Sequence, residues 1–365
     1  MKPELKGYRG FVYETLRLIA VYLSVIVFDM GLKGVILSVE VSLLASTVYI
    51  WITLAYMNAL KGRFSRNLAF SWLKAWFLPS LNLVYGFLKS GVRAVVSWVT
   101  GSEEPVAYLN VGFSAEAPLL QASWAGTAAL YARTLRSGGG RDLEETIKLS
   151  LLFTGYMLPV FIVLSKTITS IYNPAYINGW PILVLVSIYA VLNGLSSLYA
   201  TALLGIEKVD LHGIPDRKKL ISSYLFKVPL SQILGLVGAY LLFLAVLAVA
   251  EMDSIQSAEV VVSSLLLCTF PAFAYLAVKT RESIVYRFPF KELVAVTFAS
   301  LASALYYVSV KAYDIVVLHF WSQIPVVILH LIVGLAVYLA VLFITSSWMR
   351  KLARDTLIYV KRNFI

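Results

Sequence analysis

Long apolar runs, separated by short polar stretches, make up most of the chain. A membrane span needs roughly 20 mostly apolar residues, and ten runs approach or reach that length. They cover residues 11–31, 35–57, 70–88, 106–130, 147–169, 181–204, 228–250, 256–278, 293–311 and 324–346. Strands of a membrane barrel need only about ten residues each. The pattern therefore predicts an all-α polytopic membrane protein with about ten transmembrane helices.

Charge is scarce and unevenly placed. Charged residues make up 14% of the 365 residues and the formal net charge is +11, whereas about 25% of a typical soluble domain is charged. If the amino terminus is cytoplasmic, most of the 31 Lys and Arg residues fall in cytoplasmic connections. The positive-inside rule then predicts that both termini are cytoplasmic. The basic charge is explained by this bias and by attraction to anionic membrane lipids, so no nucleic-acid partner is expected.

Catalytic and metal-binding patterns are not evident. The three histidines, His212, His319 and His330, are scattered and lack the spacing of metal ligands. The stretch SGGGRDLEE at 137–145 lacks the Gly-Lys-Ser/Thr ending of a phosphate loop. The lone Cys268 forms no internal disulfide. We therefore expect no cofactor, no metal site, no catalytic residue and no enzymatic activity.

One carboxylate falls within a predicted span. Glu116 lies near the middle of the run at 106–130, and Lys74 and Arg93 are the nearest basic candidates on the preceding segment. An ionisable residue inside the membrane is a functional-site hypothesis, because lipid-facing charge is costly. Glu116 would then belong to a polar lining for an anionic or glycosidic headgroup, or couple transport to a proton or cation. The alternative is a structural ion pair that locks two helices together.

A turn-rich stretch, IYNPAYINGWP at 171–181, belongs to a longer ordered pattern. The elements of this pattern are Pro79 early in a span, Gly101 before the span that begins near Val106, the basic stretch Arg133 to Arg141, Pro159, Ile171-Tyr172 with Tyr176, and Leu204-Gly205 with Lys208. Over about 210 residues their order resembles the second half of polysaccharide and lipid-linked oligosaccharide flippases of the multidrug/oligosaccharidyl-lipid/polysaccharide exporter superfamily.

The resemblance implies two six-helix bundles around a central cavity. Residues 1–67 would hold the last two helices of an incomplete first bundle, and residues 68–279 the second six-helix bundle. Residues 280–365 would hold two extra helices and a basic cytoplasmic tail. The first four of the usual fourteen helices would then lack a counterpart in this sequence. The family often has an acidic residue where this chain has Arg93, so ion coupling through that position is not implied here.

The resemblance also implies a function. The expected activity is that of a flippase or exporter that moves a lipid-linked oligosaccharide or polysaccharide precursor across the plasma membrane. Lys74, Arg93 and Glu116 would line the substrate cavity, and Asn82 and Gln121 would contact sugar. Two alternatives remain: a drug-exporter-like transporter of amphipathic cations, and a non-transporting membrane scaffold for glycan assembly. A homo-oligomer and a glycan-assembly partner are both compatible with the sequence.

Overall fold

The computed structural model describes residues 4–56, 76–124, 127–137, 139–207 and 217–364. The elements in these ranges are helices, in agreement with the all-α prediction. They are α1 (Glu4–Val21), α2 (Gly31–Tyr56), α3 (Phe77–Thr100), α4 (Glu104–Ser123), α5 (Thr127–Ser137), α6 (Gly140–Val163), α7 (Ser165–Tyr172), α8 (Trp180–Ile206), α9 (Arg217–Ser222), α10 (Tyr224–Val249), α11 (Ser254–Ser283), α12 (Phe290–Ser309), α13 (Phe320–Thr345) and α14 (Ser347–Phe364).

Within the described ranges, seven helical segments are long and apolar enough to cross a membrane. They are Gly31–Thr53, Gly140–Val163, Pro174–Ile206, Tyr224–Val249, Ser254–Ser283, Phe290–Ser309 and Phe320–Thr345. The other predicted runs, 11–31, 70–88 and 106–130, coincide in part with α1, α3, α4 and α5, but these helices are not among the seven. The protein is thus a polytopic helical membrane protein. A count of ten spans and the cytoplasmic location of both termini stay predictions.

The position of α3 differs from the predicted run at 70–88. This helix begins at Phe77 and continues to Thr100, where Gly101 ends it in a left-handed conformation with φ of 63°. Glycine adopts this conformation without the steric cost that a Cβ imposes. Lys89 and Arg93, which follow the predicted run at 70–88, therefore lie inside the helix.

The chain forms two compact units, Met1–Lys74 and Ala75–Ile365. In the first unit, α1 continues into a π-helical turn, Tyr22–Val27, and packs on α2 through small residues. The hydroxyls of Ser24 and Ser38 are 2.7 Å apart, and both lie within hydrogen-bond distance of the carbonyl of Gly34. Small side chains let membrane helices approach closely and hydrogen-bond across their interface.

The second unit is built around α8. This helix packs against α4, α5, α6 and α11, and its glycines permit close approach. A Cβ added to Gly194 would lie 2.1 Å from Cβ of Ser123 on α4, and one added to Gly205 would lie 2.1 Å from Oγ1 of Thr134 on α5. The central position of α8 therefore depends on glycine at these two contacts.

The stretch at 171–181 forms the turn between α7 and α8. Asn173 Oδ1 accepts a hydrogen bond of 2.9 Å from the amide of Ala175, which begins the 3₁₀ turn Pro174–Gly179. The ring of Tyr176 meets that of Tyr108 edge to face, with centroids 5.7 Å apart. Gly179 packs against the same tyrosine. The turn is thus docked on the beginning of α4.

The two helices after α11 are joined to α6 through its carbonyl groups. Pro159 has no amide hydrogen for the carbonyl of Gly155, four residues earlier. Ser300 Oγ of α12 donates to that carbonyl at 2.6 Å. One turn earlier, Tyr338 of α13 donates to the carbonyl of Leu152 at 2.6 Å. The proline therefore exposes an acceptor that the neighbouring helix satisfies.

The basic tail of the sequence is helix α14 in the structure. Trp348 Nε1 donates to Glu145 Oε2 of α6 at 2.9 Å. Arg350 donates to the carbonyls of Phe343 and Ile344, at the end of α13, at 2.9 and 2.8 Å. These bonds hold the beginning of α14 on the second unit. The assignment of residues 1–67, 68–279 and 280–365 to parts of a two-bundle exporter stays a prediction.

Candidate functional site

Glu116 lies in a cavity of about 270 Å³ inside the second unit. The residue is 3% exposed. Helices α3, α4, α8 and α11 line the cavity with the residues Lys89, Ser90, Val92, Arg93, Phe113, Glu116, Ala117, Leu120, Tyr189 and Leu265. The structure thus brings two of the predicted site residues, Arg93 and Glu116, to one cavity.

The nearest basic group to Glu116 is Lys89. Its Nζ lies 3.9 Å from Glu116 Oε1, and the Lys89 side chain is 35% exposed. Glu116 Oε1 accepts no hydrogen bond from the described residues. Arg93 and the side chain of Asn193 also interact with this carboxylate. The carboxylate is therefore held by the charge of Lys89, by a side-chain hydrogen bond from Asn193 and by the charge of Arg93.

The structure adds a partner of Glu116 that the sequence prediction did not name. The sequence suggests Lys74 and Arg93; Lys74 lies outside the described residues, Arg93 interacts with the carboxylate, and Lys89 forms an ion pair with it. The run boundaries assign Lys89 to a connection. Lys89 and Arg93 are four residues apart and share one helix face. That spacing was a signal for a common role.

Arg93 is positioned by an aromatic ring. Its guanidinium lies over Phe113, 5.4 Å from the ring centroid, and Phe113 meets Tyr189 edge to face with centroids 6.5 Å apart. Stacking on an aromatic face leaves the guanidinium donors available for a planar anion. In the described part of the chain, no carboxylate lies within 4 Å of the Arg93 guanidinium. Arg93 is thus an oriented cation without a close counter-ion there.

Close packing on both sides of Glu116 explains why it is buried. One turn before it, Gly112 faces α8, and an added Cβ would lie 3.1 Å from Cγ2 of Val186. Two turns after it, Ser123 packs against Gly194 of α8. The segment of α4 between these contacts is pressed against α8, beside the buried Tyr189. Neither the glycine contacts nor the role of Tyr189 was evident from the sequence.

A second cavity, of about 310 Å³, contains Asn82. It is lined by α3, α8 and α10 through Leu78, Pro79, Asn82, Ser197, Ala200, Thr201, Leu204, Leu225, Val228, Pro229 and Gln232. Asn82 lies seven residues before Lys89, which is two helical turns or about 10.5 Å along α3. Gln121 is exposed on α4 and lines neither cavity. The structure therefore places Asn82 beside the charged cavity and Gln121 apart from it.

The charged cavity is suited to binding an anion. Lys89 and Arg93 supply two positive charges, and Glu116 supplies one negative charge. Across the described ranges, no group of three or more His, Cys, Asp and Glu residues is arranged to hold a metal ion. The chemistry available in this cavity is recognition by charge, hydrogen bonding and aromatic packing.

Comparison with known proteins gives a likeness of fold. No protein-family model matches the sequence, and no curated protein matches it significantly. A solved structure of the lipid II flippase MurJ, in an inward closed conformation, is similar to this chain with a TM-score of 0.61. The chain has a MurJ-like fold. The alignment covers 94% of this chain and 67% of the MurJ chain, with 16% sequence identity. The apolar helices and this likeness of fold support a multi-pass membrane protein.

Proposed function

We propose that this protein is a flippase-type transporter that moves a lipid-linked oligosaccharide or polysaccharide precursor across the membrane. The likeness to a lipid II flippase supports the transporter class, and the charged cavity supports the substrate class. The observation that carries the proposal is Arg93, oriented over Phe113 without a carboxylate within 4 Å in the described residues. The transporter acts by binding and conformational change, without covalent chemistry.

The substrate group that we assign to this cavity is a phosphate or pyrophosphate. A guanidinium binds phosphate oxygens through paired donors in one plane. Lys89 adds a second positive charge one turn away, and Glu116 fixes the position of Lys89. We extend the proposed lining, Arg93 and Glu116, by Lys89. The place of Lys74 in this site rests on the sequence alone, and Gln121, which lines neither cavity, is not included.

A second candidate substrate is an amphipathic cation. The observation that favours it is the buried carboxylate of Glu116, whose Oε1 accepts no hydrogen bond from the described residues. A cationic ligand would need to displace Lys89 from that carboxylate. The net positive charge of the cavity favours the anionic substrate over this one.

A competition experiment distinguishes these two substrates. The purified protein in nanodiscs is titrated with a fluorescent short-chain polyprenyl diphosphate that carries one N-acetylglucosamine. Inorganic pyrophosphate should displace this probe, and tetraphenylphosphonium should not. Arg93→Gln should weaken probe binding by about tenfold or more, because charge-assisted hydrogen bonds contribute about 1.5–3 kcal/mol. Arg93→Lys should retain part of the affinity.

The matched control is Lys351→Gln, which removes a positive charge from an exposed position on α14. It should leave probe affinity unchanged. Displacement by tetraphenylphosphonium but not by pyrophosphate would favour the cation transporter. Equal affinity of wild type and Arg93→Gln for the probe would refute the proposed phosphate site.

A further inference from the structure

The second cavity, which contains Asn82, is polar but uncharged. Four of its eleven lining residues have polar side chains, namely Asn82, Ser197, Thr201 and Gln232. The remaining lining residues are Leu, Val, Ala and Pro, and none is ionisable. This composition contrasts with the charged cavity, where Lys89, Arg93 and Glu116 meet. The two cavities therefore suit different chemical groups.

The polar groups of the second cavity have unused hydrogen-bonding capacity. Each of the Asn82 and Gln232 side chains has two donors and an acceptor oxygen, and in the ranges that the structure describes neither makes a hydrogen bond. The Ser197 hydroxyl is in the same situation there, whereas Thr201 donates to the Ser197 carbonyl at 2.8 Å. Asn82 is exposed, and Ser197 and Gln232 are half-buried, so these polar groups are accessible from the cavity. They can bind a polar ligand or water that enters it.

The two cavities lie along the same pair of helices. Asn82 precedes Lys89 by two turns of α3, about 10.5 Å. On α8, Tyr189 lines the charged cavity, and Ser197 and Thr201 line the uncharged one. Positions 189, 193, 197 and 201 are spaced by four residues and form a band along one side of α8. A ligand with an anionic part and a neutral polar part can therefore contact both cavities.

We propose that the second cavity binds an uncharged sugar ring that is attached to the phosphate held near Lys89 and Arg93. This inference rests on the proposed function. Sugar hydroxyl and acetamido groups donate and accept hydrogen bonds, as do the side-chain amides of Asn82 and Gln232. A sugar carboxylate would enter a cavity with no cation in its lining, so its desolvation would not be compensated. The site selects neutral sugars over acidic ones.

Two fluorescent probes test this inference on the full chain in nanodiscs. One is a short-chain polyprenyl diphosphate with one N-acetylglucosamine, and the other is the same diphosphate without sugar. Asn82→Leu and Gln232→Leu should each weaken binding of the sugar-bearing probe by about three- to tenfold, the value of a neutral hydrogen bond. Both variants should bind the sugar-free probe as wild type does. A glucuronate-bearing probe should bind wild type more weakly than the N-acetylglucosamine probe.

The controls separate a failure of this inference from a failure of the proposed function. Asn110→Leu removes an exposed amide of α4 that lines neither cavity, and it should leave both affinities unchanged. The sugar site would be overturned if Asn82→Leu weakened binding of both probes equally, or weakened binding of neither. In that case Arg93→Gln would still weaken binding of both probes. The phosphate site itself would be overturned if Arg93→Gln bound both probes with wild-type affinity. Thermal unfolding of each variant verifies that the fold is intact.

Discussion

Replacing Lys89 should destabilise the protein more than neutralising its partner. Lys89→Met leaves the buried carboxylate of Glu116 without its closest cation, at a site that is 3% exposed. Glu116→Gln instead removes the buried charge and keeps a similar shape. Breaking a buried pair by deleting one partner typically costs about 3–5 kcal/mol. Arg93 still faces the carboxylate, so we expect a cost for Lys89→Met near the lower end of that range.

The interaction energy between Lys89 and Glu116, called the coupling below, can be estimated from the geometry of the pair. At 3.9 Å, two unit charges attract by about 4 kcal/mol at an effective dielectric constant of about 20. The Lys89 side chain is 35% exposed, so solvent screens part of this attraction. The double variant should therefore lose about 1–2 kcal/mol less free energy of unfolding than the sum of the losses in the two single variants. A double-mutant cycle isolates this interaction.

The assay is unfolding in mixed micelles by titration with sodium dodecyl sulfate, followed by tryptophan fluorescence. The matched control is the pair Lys279–Glu282, which is shorter at 2.6 Å but lies in the last turn of α11 with side chains 37% and 56% exposed. The interaction energy of this exposed pair should be much smaller than that of Lys89 and Glu116, because solvent screens it. A coupling for Lys89 and Glu116 no larger than that of the control would refute the reasoning. So would a larger cost for Glu116→Gln than for Lys89→Met.

Two further substitutions and one control substitution test the packing of the second unit. Ser300→Ala should cost about 1–2 kcal/mol in the same unfolding assay, because the carbonyl of Gly155 then loses its donor; a cost near zero would contradict this role. Gly194→Ala should lower the free energy of unfolding by about 1–3 kcal/mol, because the new methyl group overpacks against Ser123. The control Gly86→Ala, with no atom within 4 Å of the new Cβ, should be neutral or slightly stabilising. Equal effects of the two glycine substitutions would show that the α4–α8 contact is looser than described.

The fold class was predictable because it is determined mainly by local sequence. A run of about 20 apolar residues is recognisable without knowledge of its neighbours, since the bilayer alone requires a helix of that length. Helix boundaries were less predictable where polar residues are paired inside the fold. α3 continues through Lys89, which forms an ion pair with Glu116 on another helix. Hydropathy alone places such a lysine in a connection.

The candidate site was predictable in its chemistry but only in part in its geometry. Glu116 and Arg93 were recognisable as charges within predicted membrane segments or near them. The choice of Lys89 as partner depends on how α3 and α4 are rotated, and the cavity wall depends on glycine contacts between α4 and α8. Those contacts join residues far apart in the chain. A single sequence contains no local signal for them.

The most direct test of the proposed function is translocation by the purified protein in proteoliposomes. A fluorescent polyprenyl diphosphate that carries one N-acetylglucosamine is placed in both leaflets, and dithionite added outside quenches the label that reaches the outer leaflet. We predict that wild type exposes label beyond the outer-leaflet fraction seen in protein-free liposomes, and that Arg93→Gln does so more slowly. Quenching by wild type that is identical to that of protein-free liposomes would contradict the assignment of this protein as a flippase.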